Sequence, residues 1–442
     1  MTKESGVGLK RREFLQGMSA SAVALAAGGT LAAKSLGEAA GAPAMGPRAL
    51  PKQVRVGVVG GGFGSHFLWH LHPDSKVTAV CDLRDDRLEA LHKAYGCNNY
   101  YKGFREFLKH PELDAVAVFT PPHLHVQMVT EAMQAGKHVI SAVPAGLSVE
   151  ELEKLLDTVQ RTGMKYMMAE TSRFRPEVIT CVEWARQGKF GKIFYSESEY
   201  HHPGSIVYSY GDSFDCQSCQ LGRLKDGTFD LRRAVPTWSH AFPPMLYPTH
   251  CTGMIVPVTG ERLVEVVAVG WGDGHECLKE NYYKNPFWNT TAFFKTSGGN
   301  SARVSVYWHV AAGGTERGGF YGDRMSYVME RPEKSPNTVI HQEDKPGSVY
   351  GIYQGEIRLE AYNQPDHYEM LPESLRIPSG HGGSHTFITH EFISAIGEDR
   401  YPIVNAWEAV AFTMPGVVAH QSALRGGECM KIKDYGKAPG GA

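Results

Sequence analysis

The stretch from Val54 to His66, VRVGVVGGGFGSH, limits what this chain can fold into more than any other. An alternating apolar run of strand length empties into a glycine cluster, and Phe67-Leu68-Trp69 resumes an apolar pattern that predicts a helix. Strand, tight turn and helix in that order form the phosphate-binding unit of a dinucleotide site. Gly60 and Gly62 fit the first two glycines of G-x-G-x-x-G, and the third falls on Ser65. Glycine lets the backbone N–H groups of such a turn approach a pyrophosphate, and the positive end of a following helix favours its charge. Gly60, Gly62, Phe63 and Gly64 are therefore expected cofactor contacts.

Glycine-rich turns also serve ordinary chain reversal, so the downstream context decides. Lys76 to Cys81 reads as a second strand ending on Asp82, about twenty residues past Gly62, where a carboxylate takes the ribose hydroxyls. Asp82 also repels a 2′-phosphate, which favours NAD over NADP, with Arg84 close by as the opposing signal.

The alternation of strand and helix continues. Asp85 to Tyr95 and His123 to Ala135 have helical spacing, and Ser148 with Glu151 makes a capping box for a helix running towards Thr162. Ala115–Phe119, His138–Ser141 and Lys165–Ala169 read as short buried strands. The pattern predicts a doubly wound parallel sheet with ligands at the carboxyl ends of its strands. One rim then carries Thr120-Pro121, with His125 just beyond, Ala142-Val143-Pro144 and Glu170-Thr171, so Thr120, Pro121, His125, Val143, Glu170 and Thr171 join the expected cofactor contacts.

From about Arg175 the character changes. A helix is expected at Pro176–Gln187, then strand-like runs at Lys192–Tyr200, Leu263–Val269, Thr290–Phe294, Ala302–Trp308 and Arg324–Met329, with helices returning at Thr386–Ile396 and Ala406–Leu424. This predicts an α+β domain with an open, mostly antiparallel sheet. Gly211–Pro236 and Glu330–Pro346 read as surface insertions. The expected division is a leader over 1–44, an NAD-binding Rossmann domain over 52–174 and a substrate-binding domain over 175–442.

The leader rests on Arg11-Arg12 followed by Phe14-Leu15, a mildly apolar Ala, Ser and Gly run to Ala33, and an A-x-A site at Ala42-Pro43-Ala44. It reads as a Tat export signal, with the Tat machinery as partner and a periplasmic or secreted destination. The run is too weakly apolar for a membrane anchor, and no later segment predicts a spanning helix. With 42% apolar residues, a net charge of −2 and scattered basic residues, the chain has a soluble composition and gives no reason to expect nucleic acid as a partner. Cys81 and Cys181 sit in apolar patterns, whereas Cys216 and Cys219 lie in a polar loop and fit either a local disulfide or a metal.

A chain with this N-terminal half, Thr120-Pro121, Gly136-Lys137-His138-Val139 and an open-sheet second domain resembles the glucose-fructose oxidoreductase, inositol dehydrogenase and MocA (Gfo/Idh/MocA) family. The resemblance covers nearly everything beyond the leader. It implies hydride transfer at a sugar carbon, and in most such enzymes a Glu-Lys-Pro lysine works beside an Asp and a His. Here those positions read Ala142-Val143-Pro144, so that lysine is absent, and Leu246 stands at the aspartate position while His250 remains. Tyr247-Pro248-Thr249-His250 is similar to the motif of the NAD-dependent glycosidases of glycoside hydrolase family 109, a branch that also carries Tat-type leaders. Met167-Met168-Ala169-Glu170, Tyr200-His201-His202 and Gly380-His381-Gly382-Gly383 are similar as well. Ala142, Thr171 and Pro122-His123-Leu124 depart from that branch, which tends to have Glu, Asn and a Trp-rich turn there.

Export and cofactor constrain each other. Tat carries folded proteins and free NAD is scarce outside the cytoplasm, so an exported NAD protein has to restore its cofactor within each cycle. That favours a redox-neutral scheme in which a sugar carbon is oxidised, a group is eliminated and the hydride returns. His250 and Tyr247 are the first catalytic candidates, as imidazole base and phenol, with Tyr200 and His202 expected to face the same cleft. A net sugar dehydrogenase or sugar-sugar oxidoreductase and a sugar-binding protein without chemistry are the alternatives. No metal is assigned, because His201 and His202 are adjacent on a strand and no ligand spacing motif is present. Trp238, Trp271, Tyr282, Tyr283 and Trp308 are aromatic candidates for a carbohydrate cleft, and a homo-oligomer is expected.

Overall fold

The computed structural model describes residues 53–203, 238–311, 313–330, 335–343 and 356–439. The leader, Cys216 and Cys219, the Gly211–Pro236 insertion and parts of the Glu330–Pro346 insertion lie outside or mostly outside these residues.

The N-terminal sheet is built from β1 (Val54–Val59), β2 (Ser75–Cys81), β3 (Tyr100–Tyr101), β4 (Ala115–Val118), β5 (His138–Ser141) and β6 (Tyr166–Met168). All pairs are parallel, in the order β3-β2-β1-β4-β5-β6. Val, Ile and Ala line these strands because helices cover both faces, and β4 is buried at every position. The capping box forms as expected. Ser148 accepts from the Glu151 N–H at 3.2 Å, and Glu151 reaches back to the Leu147 N–H at 2.7 Å.

One expectation fails. No α-helix follows the glycine turn; residues 63–74 form two short 3-10 turns, Phe63–His66 and Trp69–Leu71. The reason is length. A helix returning along a strand of roughly 20 Å needs roughly thirteen residues plus its connections, more than this linker holds. The apolar side chains assigned to that helix are buried against the C-terminal helix Ser384–Gly397 instead: Phe67 stacks on His385 at 4.5 Å, Trp69 meets Phe392 at 6.0 Å, and the Leu68 N–H donates to Thr389 Oγ1.

The second sheet comprises β7 (Ile193–His201), β8 (Leu263–Trp271), β9 (Asn289–Thr296), β10 (Ser301–Tyr307), β11 (Thr315–Gly322), β12 (Met325–Val328), β13 (Thr338–Glu343), β14 (Glu356–Ala361) and β15 (Met430–Lys431). Their order is β14-β13-β12-β11-β7-β10-β9-β8-β15, antiparallel except for the β7–β10 pair. Sequence patterning missed β11, β14 and β15, as well as the helix Thr249–Thr259, and read the β13 segment as part of an insertion. In β11, TERGGFYG, the glycines mask a central strand whose neighbours supply the packing. The helix Thr249–Thr259 lies under β7, with Ser198 Oγ 3.6 Å from Met254 Sδ. Among the described residues no helix is long and apolar enough to cross a membrane.

Candidate active site

The glycine turn has room for a cofactor on one side only. Gly60 has φ +95°, and a Cβ there would lie 2.2 Å from the Phe119 carbonyl oxygen; at Gly61 it would lie 2.2 Å from the Arg87 carbonyl. Gly62 faces the open side, where the nearest atom to such a Cβ is the Arg87 guanidinium at 3.4 Å. Gly64, rather than position 65, serves the close-packing role: it is buried, and its Cβ would press Val58 and Phe119 at 3.1 and 3.2 Å. Asp82 Oδ2 accepts the Gly61 N–H at 2.7 Å and Oδ1 the Arg84 N–H at 3.0 Å, which fixes the carboxylate at the lip of the turn. A turn without a Cβ on the open side, a carboxylate at its lip and a guanidinium above it fit a dinucleotide, although the macrodipole of a long helix is missing. Gly60→Ala is expected to cost about 2–3 kcal/mol through backbone strain and overpacking. Urea unfolding of both proteins checks this, and an unchanged midpoint would mean that the turn yields.

The rim assembles as a set of loop ends, with one reassignment. His125 is fully buried, its Nδ1 2.8 Å from the Pro144 carbonyl and its Nε2 2.7 Å from the Thr120 carbonyl. Neither ring nitrogen is left for a cofactor; the residue ties the loop after β4 to the loop after β5. Thr120 and Pro121 are half-buried at the rim, and the Thr120 hydroxyl lies 3.4 Å from Met128 Sδ. Val143 is buried beside them.

Glu170 and Thr171 turn towards the second domain. Glu170 is fully buried, and its Oε1 accepts both the Ser172 N–H at 2.8 Å and His250 Nδ1–H at 2.8 Å. Gly253 makes the room, since a Cβ there would lie 2.7 Å from Glu170 Cγ. Thr171 Oγ1 is 3.5 Å from the same imidazole nitrogen. His250 is thus held through Nδ1, and Nε2 is the nitrogen available to a substrate. Tyr200 packs on the imidazole at 4.6 Å between ring centroids and Tyr247 at 5.3 Å, with Trp308 against both phenols. His202 follows on the same face, 5.8 Å from Tyr200, whereas His201 stacks on Tyr307 on the other face. The four catalytic candidates therefore converge.

Electrostatics separates their roles. Burial alone would lower the His250 pKa, but the charges of Glu170 and Glu316 reverse this and push it up to about 9. Burial raises the Tyr200 and Tyr247 phenols far above their ordinary range, so both stay protonated hydrogen-bond donors. Burial lowers His202 and His381. The site therefore holds imidazoles biased in opposite directions: His250 carries its proton at neutral pH and becomes a free base on the alkaline side, whereas His202 and His381 are held towards the neutral form.

Three residues here escaped the sequence reading. Glu316, on β11, pairs in register with Tyr200 and bonds Ser172 Oγ at 3.0 Å and Arg175 Nη1 at 3.5 Å through Oε2. His381, at φ +51°, precedes the helix Ser384–Gly397 and lies 5.4 Å from Phe63 of the glycine turn. It bonds His385 Nε2 through Nδ1 at 3.0 Å. Arg175 joins Glu316 to this loop, 3.5 Å from where a Cβ of Gly382 would stand. The only signal in the sequence was the Gly380–Gly383 likeness. Of the aromatic set, Trp308 lines the back of the cluster, while Trp271 and Tyr282 are exposed. Among the described residues no group of three or more His, Cys, Asp or Glu has metal-holding geometry.

Residues 54–170 match the model of an oxidoreductase family with an NAD-binding Rossmann fold (GFO_IDH_MocA). A glycosyl hydrolase family 109 protein of Shewanella amazonensis is 34% identical over 269 residues, which is 56% of this chain and 54% of that protein. A glycosyl hydrolase family 109 protein of Streptomyces niveus is 23% identical over 418 residues, 86% of this chain and 77% of that one. The match thus spans little more than half the length of the Shewanella relative. Levoglucosan dehydrogenase in complex with NADH and levoglucosan shares the fold, with a TM-score of 0.65 at 19% identity over 86% of this chain and 99% of that chain.

Proposed function

We propose, for a chain that belongs to the Gfo/Idh/MocA oxidoreductase family on its glycosyl hydrolase family 109 branch, an enzyme that cleaves a glycoside without net redox change, using tightly held NAD. The observation that carries this reading is the Glu170–His250 dyad packed against Tyr200 and Tyr247, with His381, against Phe63 of the glycine turn, within reach of its charges. The names of the Shewanella and Streptomyces relatives support a glycoside substrate.

Gly60, Gly62, Asp82 and the rim at Thr120 and Pro121 would hold NAD, with Arg87 above the turn. Bound there, NAD supplies a hydride acceptor that can also return the hydride. The rest falls to the protein's own groups. Glu170 orients His250, whose Nε2, in the unprotonated form that the alkaline side favours, takes the proton of the sugar hydroxyl at the carbon being oxidised. The Tyr247 and Tyr200 phenols donate hydrogen bonds to the same oxygen, and His381, kept neutral by burial, accepts the proton of the carbon next to the oxidised one and gives it back when the hydride returns. This division of labour needs neither the lysine absent at Val143 nor the aspartate absent at Leu246.

Export through the Tat pathway to the periplasm or beyond belongs to the same proposal, supported by Arg11-Arg12 and the Ala-rich run. Self-association is also part of it, supported by exposed Val269, Trp271 and Phe293 on the outer sheet face. The deciding measurement is the nucleotide released when protein purified from the exported compartment is denatured. One NAD per chain is expected, together with solvent deuterium appearing beside the oxidised carbon of the cleaved sugar. An empty protein that reduces added NAD would replace this reading with an ordinary dehydrogenase.

A further inference from the structure

Glu316 sits at the centre of the cleft, bonded to Ser172 and Arg175 and paired across the sheet with Tyr200. The antiparallel register sets it directly beside Tyr200, and it faces the same side of the sheet. Its charge bears on Tyr200, Tyr247, His202, His250, Cys251 and His381, which are the titratable groups around the cleft. Burial works against its ionisation, but His250, Arg175, His381 and the Ser172 bond hold the carboxyl below its usual range. It is therefore a half-buried, ionised carboxylate at neutral pH.

Its hydrogen bonds are one-sided. Ser172 Oγ and Arg175 Nη1 both meet Oε2, and among the described residues Oε1 takes none. An ionised carboxylate has about four lone-pair sites, and Oε1 is not among the fully buried unpaired oxygens, so it remains accessible to an incoming donor. Ser172 and Arg175 hold one oxygen still and leave the other for an incoming donor. Arg175 does not fill that role, because its second contact is with Glu177 at 3.7 Å.

We propose that Glu316 is a further substrate-contacting residue: Oε1 accepts a hydroxyl hydrogen of the sugar, next to the hydroxyl addressed by His250, so that the site selects substrates presenting a vicinal diol. The inference rests on the sugar-binding reading above and sharpens its substrate class. A purely structural Glu316 would serve Ser172 and Arg175 alone and would not distinguish one sugar from another.

The test compares parent and Glu316→Gln proteins, both loaded with NAD, in titration calorimetry against methyl hexopyranosides and their 2-, 3-, 4- and 6-monodeoxy forms. Glutamine keeps the shape and a bond to Ser172 but loses the charge on the acceptor. Expected is a loss of about 10- to 100-fold in affinity for the full sugar, and nearly equal affinities of the two proteins for one particular deoxy form. Equal losses for every sugar, or no loss, would overturn the role of Glu316 and leave the sugar reading standing. A parent protein that binds none of the sugars overturns both. Glu316→Asp, which withdraws the carboxylate by one methylene, is expected to give the same pattern. It stands in if the glutamine variant does not fold.

Discussion

Replacing His250 with Gln is expected to slow turnover by about a thousandfold while leaving NAD content and sugar affinity within a few fold of the parent. Glutamine can still donate a hydrogen bond to Glu170 and fills much of the space between Tyr200 and Tyr247. It cannot take up a proton. The loss should therefore fall on kcat rather than on KM, because the interaction removed exists only while the hydroxyl proton is moving. Single-turnover measurements on NAD-loaded protein separate the two. A rate within tenfold of the parent would take His250 out of the proton transfer and leave His381 as the imidazole to examine.

Much of the cofactor half was legible in the sequence because its signals are local. A strand, glycines without room for a Cβ and a carboxylate about twenty residues on lie within one short stretch, and backbone sterics alone give them meaning. The missing helix was not legible, because hydrophobic spacing at Phe67 and Trp69 does not say which neighbour will cover them. That neighbour comes from more than three hundred residues downstream, in the helix Ser384–Gly397.

The catalytic half depends on pairings with no local signature. Glu170 reads as the end of a rim strand and as either an acid–base group or a cap of the next turn. It does cap Ser172, and only the packing of the helix Thr249–Thr259, with Gly253 making space, turns it onto His250 as well. Glu316 sits in a glycine-rich run that carries no strand pattern of its own, although β7 and β12 pair with that run on either side. His125 shows the opposite error. Its position just beyond Thr120-Pro121 suggests a cofactor contact, yet both its nitrogens lie on backbone carbonyls. Position along the chain gave the rim, whereas orientation came from tertiary contacts.

Glu170→Gln is expected to have the second large effect, and pH gives it a direction. In the parent, burial lowers the His250 pKa while Glu170 and Glu316 raise it, with a net rise to about 9. A group raised on folding contributes stability that is fully present below its unfolded pKa of about 6.5 and is lost as pH rises through its folded value. The parent should therefore gain stability from His250 at pH 6 and lose that gain by pH 10. The glutamine variant keeps the Ser172 N–H bond but removes one of the two charges that raise the imidazole, so the contrast between pH 6 and pH 10 should shrink. Rates follow the same logic. His250 acts as a base only when Nε2 is free, so the ascending limb of the parent pH–rate profile should lie on the alkaline side, and in the variant it should move towards neutral pH. The variant's maximal rate should nevertheless fall about a hundredfold, because a neutral amide stabilises the imidazolium formed during proton transfer less well than a carboxylate does. Urea unfolding at the two pH values and a pH–rate profile of the same preparations measure both effects. Coincident limbs in parent and variant would show that Glu170 only braces the turn at Ser172, and the dyad would then not be the source of the base.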